Sequence, residues 1–566
     1  MSGLERQGKD TKPESEKGNA LQAEAQEGLN PRVRISGDKA ELLYTRTAAE
    51  KGTRIGPSDP NQQIDVTVMV KSKGSEQEME DTLQKILEGK KKPLTDAQFN
   101  AQFGADKDAM NRVLKFAKDS GLKAVKIDTK SGRIQLHGKV GDFSKAFNVQ
   151  LDDYQNDGVI CRERAGNVMV PRAMSDDIQG IFGLDNPKML NTHFKQAPKG
   201  DSQPRADNSF MPNEVADMYN FPKDSMGGGQ SVAIVEFGGG LDFKDNSKYY
   251  KDHGLKEPKI QVVEIGTAKN KPGDPADGEV ALDSQVIGAI APDAKQQLIF
   301  APNSDQGFLD AITRATFAEK NEIQNSAISI SWGAPESDWN EQAIRNLNIA
   351  FKKAALKGIS IFAASGDDGA KDKSSDGKFT PDYPASDPFV TGTGGTRLEK
   401  SGKEVTWNDG FFGGSTGGGI SAKFDVPEFQ KNITMPQNAN NTGKPGRGAP
   451  DIAGNASSLT GYKIRVGGAE TVTGGTSAVA PLYAGLMMRV NGALGRPAGY
   501  LNPILYNNAN SGIFKDITEG HNNGYDTGPG WDATTGWGVL RGDKFLELLR
   551  KQQIVEQQNS DSQLKK

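Results

Sequence analysis

The sequence has 566 residues, with 69 Lys+Arg against 73 Asp+Glu and a formal net charge of −4. That length allows two or more domains, and the slight acidity argues against nucleic acid as a partner. The single cysteine, Cys161, excludes an intrachain disulfide, and no run of about 18 apolar residues marks a membrane-spanning helix, so no membrane is expected as a partner.

Residues 1–35 are rich in Glu, Gln, Lys and Gly and read as a disordered tail. The first 20 residues carry no apolar signal core. An α+β region follows over 36–185. Its expected elements are a strand at 63–71, helices at 75–87 and 108–120, strands at 123–127 and 133–139, a short helix at 140–147 and a strand at 149–154. Residues 186–208 are polar and read as an exposed linker of the kind proteases cut. From Met211 short apolar strands (231–237, 260–265, 297–301, 326–332, 359–364 and 389–392) alternate with helices. This is the pattern of a mostly parallel sheet covered on both faces, whose ligands sit outside the carboxyl ends of the strands. This domain is expected over 209–550, with a polar tail over 551–566.

Three stretches carry candidate chemistry. In Gly474-Gly475-Thr476-Ser477-Ala478-Val479-Ala480-Pro481 a glycine turn leads into a helical run. A serine there can attack a carbonyl while nearby N–H groups receive the oxyanion, although the same residues fit a simple Thr/Ser N-cap. In Glu279-Val280-Ala281-Leu282-Asp283 two carboxylates four residues apart share one face of an apolar helix. At least one of their pKa values should rise, unless the pair is a solvated stripe at the helix start. In Ser365-Gly366-Asp367 an apolar strand ends on an acid, which is either a plain turn or a protonated donor to an oxyanion. Residues 209–566 hold two histidines, His253 and His521, neither in a strand-to-helix context. A Ser-His-Asp site therefore lacks its imidazole, and Glu279 backed by Asp283 is left as the base, with an acid working pH.

Together these motifs resemble the sedolisins, the serine-carboxyl peptidases, and within them the kumamolisin-like subgroup. The resemblance implies a subtilisin-like α/β fold with a mostly parallel seven-stranded sheet between helices, preceded by an α+β ferredoxin-like prosegment that acts as chaperone and inhibitor. Residue by residue it implies Ser477 as nucleophile, Glu279 as general base and acid, Asp283 as its orienting partner and Asp367 as the oxyanion-hole acid. Glu236 and Trp332 would extend the hydrogen-bond chain behind them. It also implies one structural Ca²⁺, held by the carboxylates of Asp516 and Asp532 and the carbonyls of Ile517, Gly528 and Gly530. Two carboxylates and carbonyl oxygens suit that hard cation, although an Asp/Gly loop alone reads as a turn.

The expected protein is then a secreted, acid-active endopeptidase. It is made as a zymogen cleaved within the linker and is a monomer after processing. Its partners would be protein and peptide substrates and its own prosegment. A calcium-stabilised binding protein on a degenerate peptidase fold would need a substituted catalytic residue. An esterase would need a Gly-x-Ser-x-Gly elbow, which is absent around Ser477.

Overall fold

The computed structural model describes residues 33–42, 52–156, 158–197, 208–320 and 322–564. Most of the expected N-terminal tail lies outside them; Val33–Ser36 is a strand paired with Lys39–Leu42. The first half forms an antiparallel sheet in the order Ile178–Phe182, Gln63–Val70, Arg133–Lys139, Lys123–Asp128. Helix Lys107–Asp119 fills the first crossover, started by the Asp106 side chain accepting the Ala109 N–H at 2.8 Å. Helix Val140–Phe147 follows the third strand. This is the β-α-β-β-α-β connectivity of a ferredoxin-like unit. The elements not expected within 36–185 include helix Asp96–Phe103 and strands Lys39–Leu42, Thr53–Pro57, Val159–Ala165, Val168–Pro171 and Ile178–Phe182.

The second half is built on a sheet in which seven parallel strands run in the order Lys259–Glu264, Lys295–Phe300, Ser231–Glu236, Ala327–Ile330, Ser360–Ala364, Thr391–Leu398, Ile452–Asn455. Val539–Leu540 adds a parallel pairing, and Phe514–Lys515 and Glu404–Thr406 pair antiparallel. Successive side chains of a strand face opposite layers. Thus Val232 and Ile234 join the core that contains helices Asp277–Ile290 and Val479–Leu494. Ala233 and Val235 join the core of helices Asp305–Thr316 and Glu341–Leu356. Strand order reverses beside Ser231–Glu236, which makes its carboxyl end the crevice where ligands bind in such sheets.

The two halves meet along helix Glu341–Leu356. Gln342 takes the Ile181 N–H at 3.0 Å and returns an N–H to the Ile181 carbonyl at 2.8 Å. Lys352 pairs with Glu80 at 2.7 Å, Lys357 with Asp96, and Arg133 with Asp310. Arg345 with Glu76 is the more exposed pair and is worth at most about 1 kcal/mol. Losing one partner of the buried Arg133–Asp310 pair would cost several times that, roughly 3–5 kcal/mol.

Two expectations need correction. Residues 186–197 are not an exposed linker, since Leu190 and His193 are buried and the segment adds strands to the second half; residues 198–207 lie outside the described residues. The expected tail over 551–566 is helical through Leu564, as the continuation of helix Gly542–Leu564. Its Lys, Gln and Glu favour helix even without an apolar face. Among the described residues no helix is long and apolar enough to cross a membrane.

Candidate active site

Three strands deliver the site at their carboxyl ends. Glu236 ends Ser231–Glu236, Ser331 and Trp332 follow Ala327–Ile330, and Asp367 follows Ser360–Ala364. Glu279 and Asp283 come from helix Asp277–Ile290, and Ser477 from a 3-10 turn ahead of helix Val479–Leu494. All six predicted side chains are buried.

Ser477 Oγ donates to Glu279 Oε2 at 2.9 Å. Ser331 Oγ donates to Asp283 Oδ1 at 2.8 Å, and Trp332 Nε1 to Glu236 Oε2 at 2.8 Å. Each of the three carboxylates thus receives one donor and keeps one oxygen unpartnered: Glu279 Oε1, Asp283 Oδ2 and Glu236 Oε1. Burial pushes all three acids well above the usual carboxylate range, and the Asp283 charge raises Glu279 and Glu236 further. The cluster therefore holds protons to higher pH than isolated acids would. Ser331 was not expected. It was read inside one strand over 326–332, but the strand breaks there and Trp332–Pro335 leaves the sheet.

Asp367 faces Ser477 from the other side. Its Oδ1 accepts the Thr476 N–H at 2.7 Å and the Thr476 hydroxyl at 2.9 Å. Its Oδ2 has no partner. Burial raises this acid to about 6, opposed by His193, Lys195 and the Thr476 hydrogen bonds. Gly475 has φ +99°, and a Cβ there would stand 2.1 Å from the His193 carbonyl oxygen and 2.6 Å from Asp367 Oδ2. A glycine is required by both its backbone and this approach.

The linker lies across the site as an added strand. Asn191–Thr192 pairs antiparallel with Trp332–Pro335, and Lys195–Gln196 with Ala469–Gly474. Between them the His193 N–H donates to the Ser331 carbonyl at 3.2 Å, and the Ser477 N–H donates to the His193 carbonyl at 3.1 Å. Phe194 packs on Gly278, where a Cβ would meet its ring at 2.6 Å. A peptide carbonyl therefore sits on the Ser477 N–H beside an unpartnered carboxyl oxygen of Asp367. That constellation can perform acyl transfer. His193, Asp372 and Asp382, whose side chains meet in a buried cluster, carried no sequence signal.

The predicted calcium residues form a separate loop. Asp516 Oδ2 accepts the Gly530 N–H at 2.8 Å, and Asp532 Oδ1 accepts from the Thr534 N–H and hydroxyl at 3.0 and 2.6 Å. Burial raises both acids, and no cationic side chain among the described residues offsets either. A buried Asp532 and an exposed Asp516, neither with a cationic partner among the described residues, offer the carboxylate oxygens a hard cation takes.

Site and fold together define a serine-type peptidase with its activation segment still in place. The family description "Pro-kumamolisin, activation domain" matches residues 50–187. Kumamolisin from Bacillus sp. (strain MN-32) is 40% identical over 535 residues, covering 90% of this chain and 96% of that one. Tripeptidyl-peptidase sed5 from Aspergillus fumigatus is 29% identical, covering 88% and 95%. Among solved structures, Pseudomonas sedolisin complexed with two molecules of pseudo-iodotyrostatin matches with a TM-score of 0.54 and 28% identity, covering 61% of this chain and 98% of that one. The chain belongs to the sedolisin family of serine-carboxyl peptidases.

Proposed function

We propose that this chain is the zymogen of a secreted, acid-active endopeptidase that cleaves its own linker. The observation that carries the reading is the Ser477 N–H on the His193 carbonyl with Ser477 Oγ on Glu279. Glu279 takes the hydroxyl proton as Oγ bonds to the substrate carbonyl carbon. Asp367, protonated, and the Ser477 N–H hold the oxyanion. Glu279 then gives its proton to the leaving nitrogen as the C–N bond breaks. Water, deprotonated by Glu279, hydrolyses the ester and restores Ser477. Asp283, held by Ser331, and Glu236, held by Trp332, tune Glu279 through charge.

By the same geometry the first bond cut in the zymogen is His193–Phe194. The His193 side chain meets the buried acids Asp372 and Asp382, which suits a basic residue before the scissile bond. Acid favours release of the segment through the Asp96–Lys357 pair. Its lysine partners, Lys130 and Lys357, hold Asp96 below the usual carboxylate range. The pair's contribution is present above the ordinary Asp pKa and is lost as pH falls through the depressed one.

The test is incubation with casein at about pH 4 and about pH 7.5. Hydrolysis and loss of the N-terminal segment are expected at the acid pH, with Phe194 as the first new N-terminus. Activity confined to the higher pH would overturn the mechanism. A non-catalytic binding role is disfavoured because no catalytic position is substituted.

We also assign a structural Ca²⁺ to Asp516 and Asp532 with the carbonyls of Ile517, Gly528 and Gly530, where the ion would neutralise one buried and one exposed carboxylate. A ligand bound only by the folded state stabilises it by mass action, by about 2.7 kcal/mol at a hundredfold excess over Kd. A calcium chelator should therefore lower the melting temperature by about 2–4 °C. An unchanged melting curve would remove calcium from the account.

A further inference from the structure

We propose that His193, Asp372 and Asp382 form a binding site for a transition-metal ion of the zinc class, assembled only while the linker is seated, and that the ion clamps the linker in the cleft. One ligand atom from each residue lies within 4.8 Å of the others, and His193 Nε2 stands 3.1 Å from Asp382 Oδ2. Ligand atoms about one zinc at its usual bond lengths are roughly 3.3 Å apart.

All three side chains are buried, with 5%, 5% and 0% exposure for His193, Asp372 and Asp382. His193 Nε2 faces Asp382 Oδ2, the Asp372 and Asp382 carboxyls face each other, and no Lys or Arg among the described residues joins them. Two glycines let these groups converge. A Cβ at Gly366 would stand 2.4 Å from Asp372 Oδ1. One at Gly333 would stand 2.1 Å from Asp382 Oδ1 and 2.8 Å from His193 Nε2.

Charge and ligand type point the same way. Burial raises both acids, and the neighbouring Asp382 charge raises Asp372 further. Apart from His193, no Lys, Arg or His among the described residues pairs with either acid, whereas the nearby Asp368 is held by Lys195 and Lys373. One imidazole nitrogen with two carboxylates and an open position suits zinc, whereas calcium takes six or more oxygens. The linker supplies the nitrogen, so the site is absent once the linker leaves.

The test uses the full-length Ser477→Ala chain, so that no outcome depends on hydrolysis, with millimolar Ca²⁺ present to fill hard-cation sites. Titration with ZnCl₂ at about pH 7 should show one ion per chain and at least thirtyfold weaker binding after His193→Gln or Asp372→Asn. Co²⁺ in place of zinc should give the visible absorption of a low-coordinate site. Zinc should also slow amide hydrogen exchange over 189–197 in the His193 chain and not in the His193→Gln chain. An unchanged melting temperature of the metal-free variants verifies their fold. Absence of uptake at pH 7, equal affinity in the variants, or unchanged exchange at saturating zinc would overturn the proposal.

Discussion

Replacing Ser477 by Ala should abolish casein hydrolysis and leave the full-length chain intact at acid pH. The hydroxyl already donates to Glu279 at 2.9 Å, and the N–H of the same residue holds the His193 carbonyl at 3.1 Å. Nucleophile and base act as a unit, so the loss in kcat should be on the order of 10⁶-fold. The substitution removes one buried oxygen and leaves the Ser477 N–H on the His193 carbonyl, so the linker stays seated. Its fold should be unchanged, because Ser477 lies in a turn fixed by the Thr476 contacts to Asp367 and Gly366. Gel analysis after hours at about pH 4 checks both outcomes. Release of the segment from the variant at the wild-type rate would place processing in another protease.

The candidate catalytic residues stand out in the sequence because their types are improbable outside such a site. Paired acids on an apolar helix and an acid at the end of a buried strand are costly, and their order along the chain narrowed the choice further. The alternating apolar runs likewise carried the parallel sheet. What escaped notice depends on distant partners. Residues 189–197 look like linker by composition, and only pairing with Trp332–Pro335 and Ala469–Gly474 orders them. His193 therefore went unweighed as a site residue. Ser331 sat inside an apolar run whose break is visible only as a change of pairing partner. Asp372 lies in a loop that reads as an Asp/Gly turn, and Asp382 beside prolines. Helix Asp96–Phe103 did carry a local signal that was overlooked, the Thr95–Gln98 capping box.

Asp367→Asn should separate the acid requirement from the fold. Oδ1 of Asp367 is committed to the Thr476 N–H and hydroxyl, so Oδ2 is the atom left for an oxyanion. Oδ2 can donate only when protonated. With Asp367 at about 6, the donor is present below that pH and becomes a repelling charge above it. His193 and Lys195 oppose the rise, so loss of the linker pushes the value further up. The upper limb of kcat/KM in the mature enzyme should therefore fall at or above about pH 6. The same proton affects stability. The folded value lies above the ordinary 3.8, so the contribution is fully present below about pH 4 and is lost as pH rises through about 6. Two units correspond to roughly 3 kcal/mol. In the Asn variant Thr476 still requires an oxygen at Oδ1, which turns the amide Nδ2–H toward the oxyanion at every pH. The variant should lose about ten- to a hundredfold in kcat at pH 4, because an amide is a weaker donor than a carboxylic acid. Asp367→Ala, with no donor, should lose about a hundred- to a thousandfold. In both variants the limb near pH 6 should disappear from the pH–rate profile, and stability between about pH 4 and 6 should become flatter. A wild-type upper limb in the Asn variant would assign that ionisation to the Glu279–Asp283–Glu236 cluster instead.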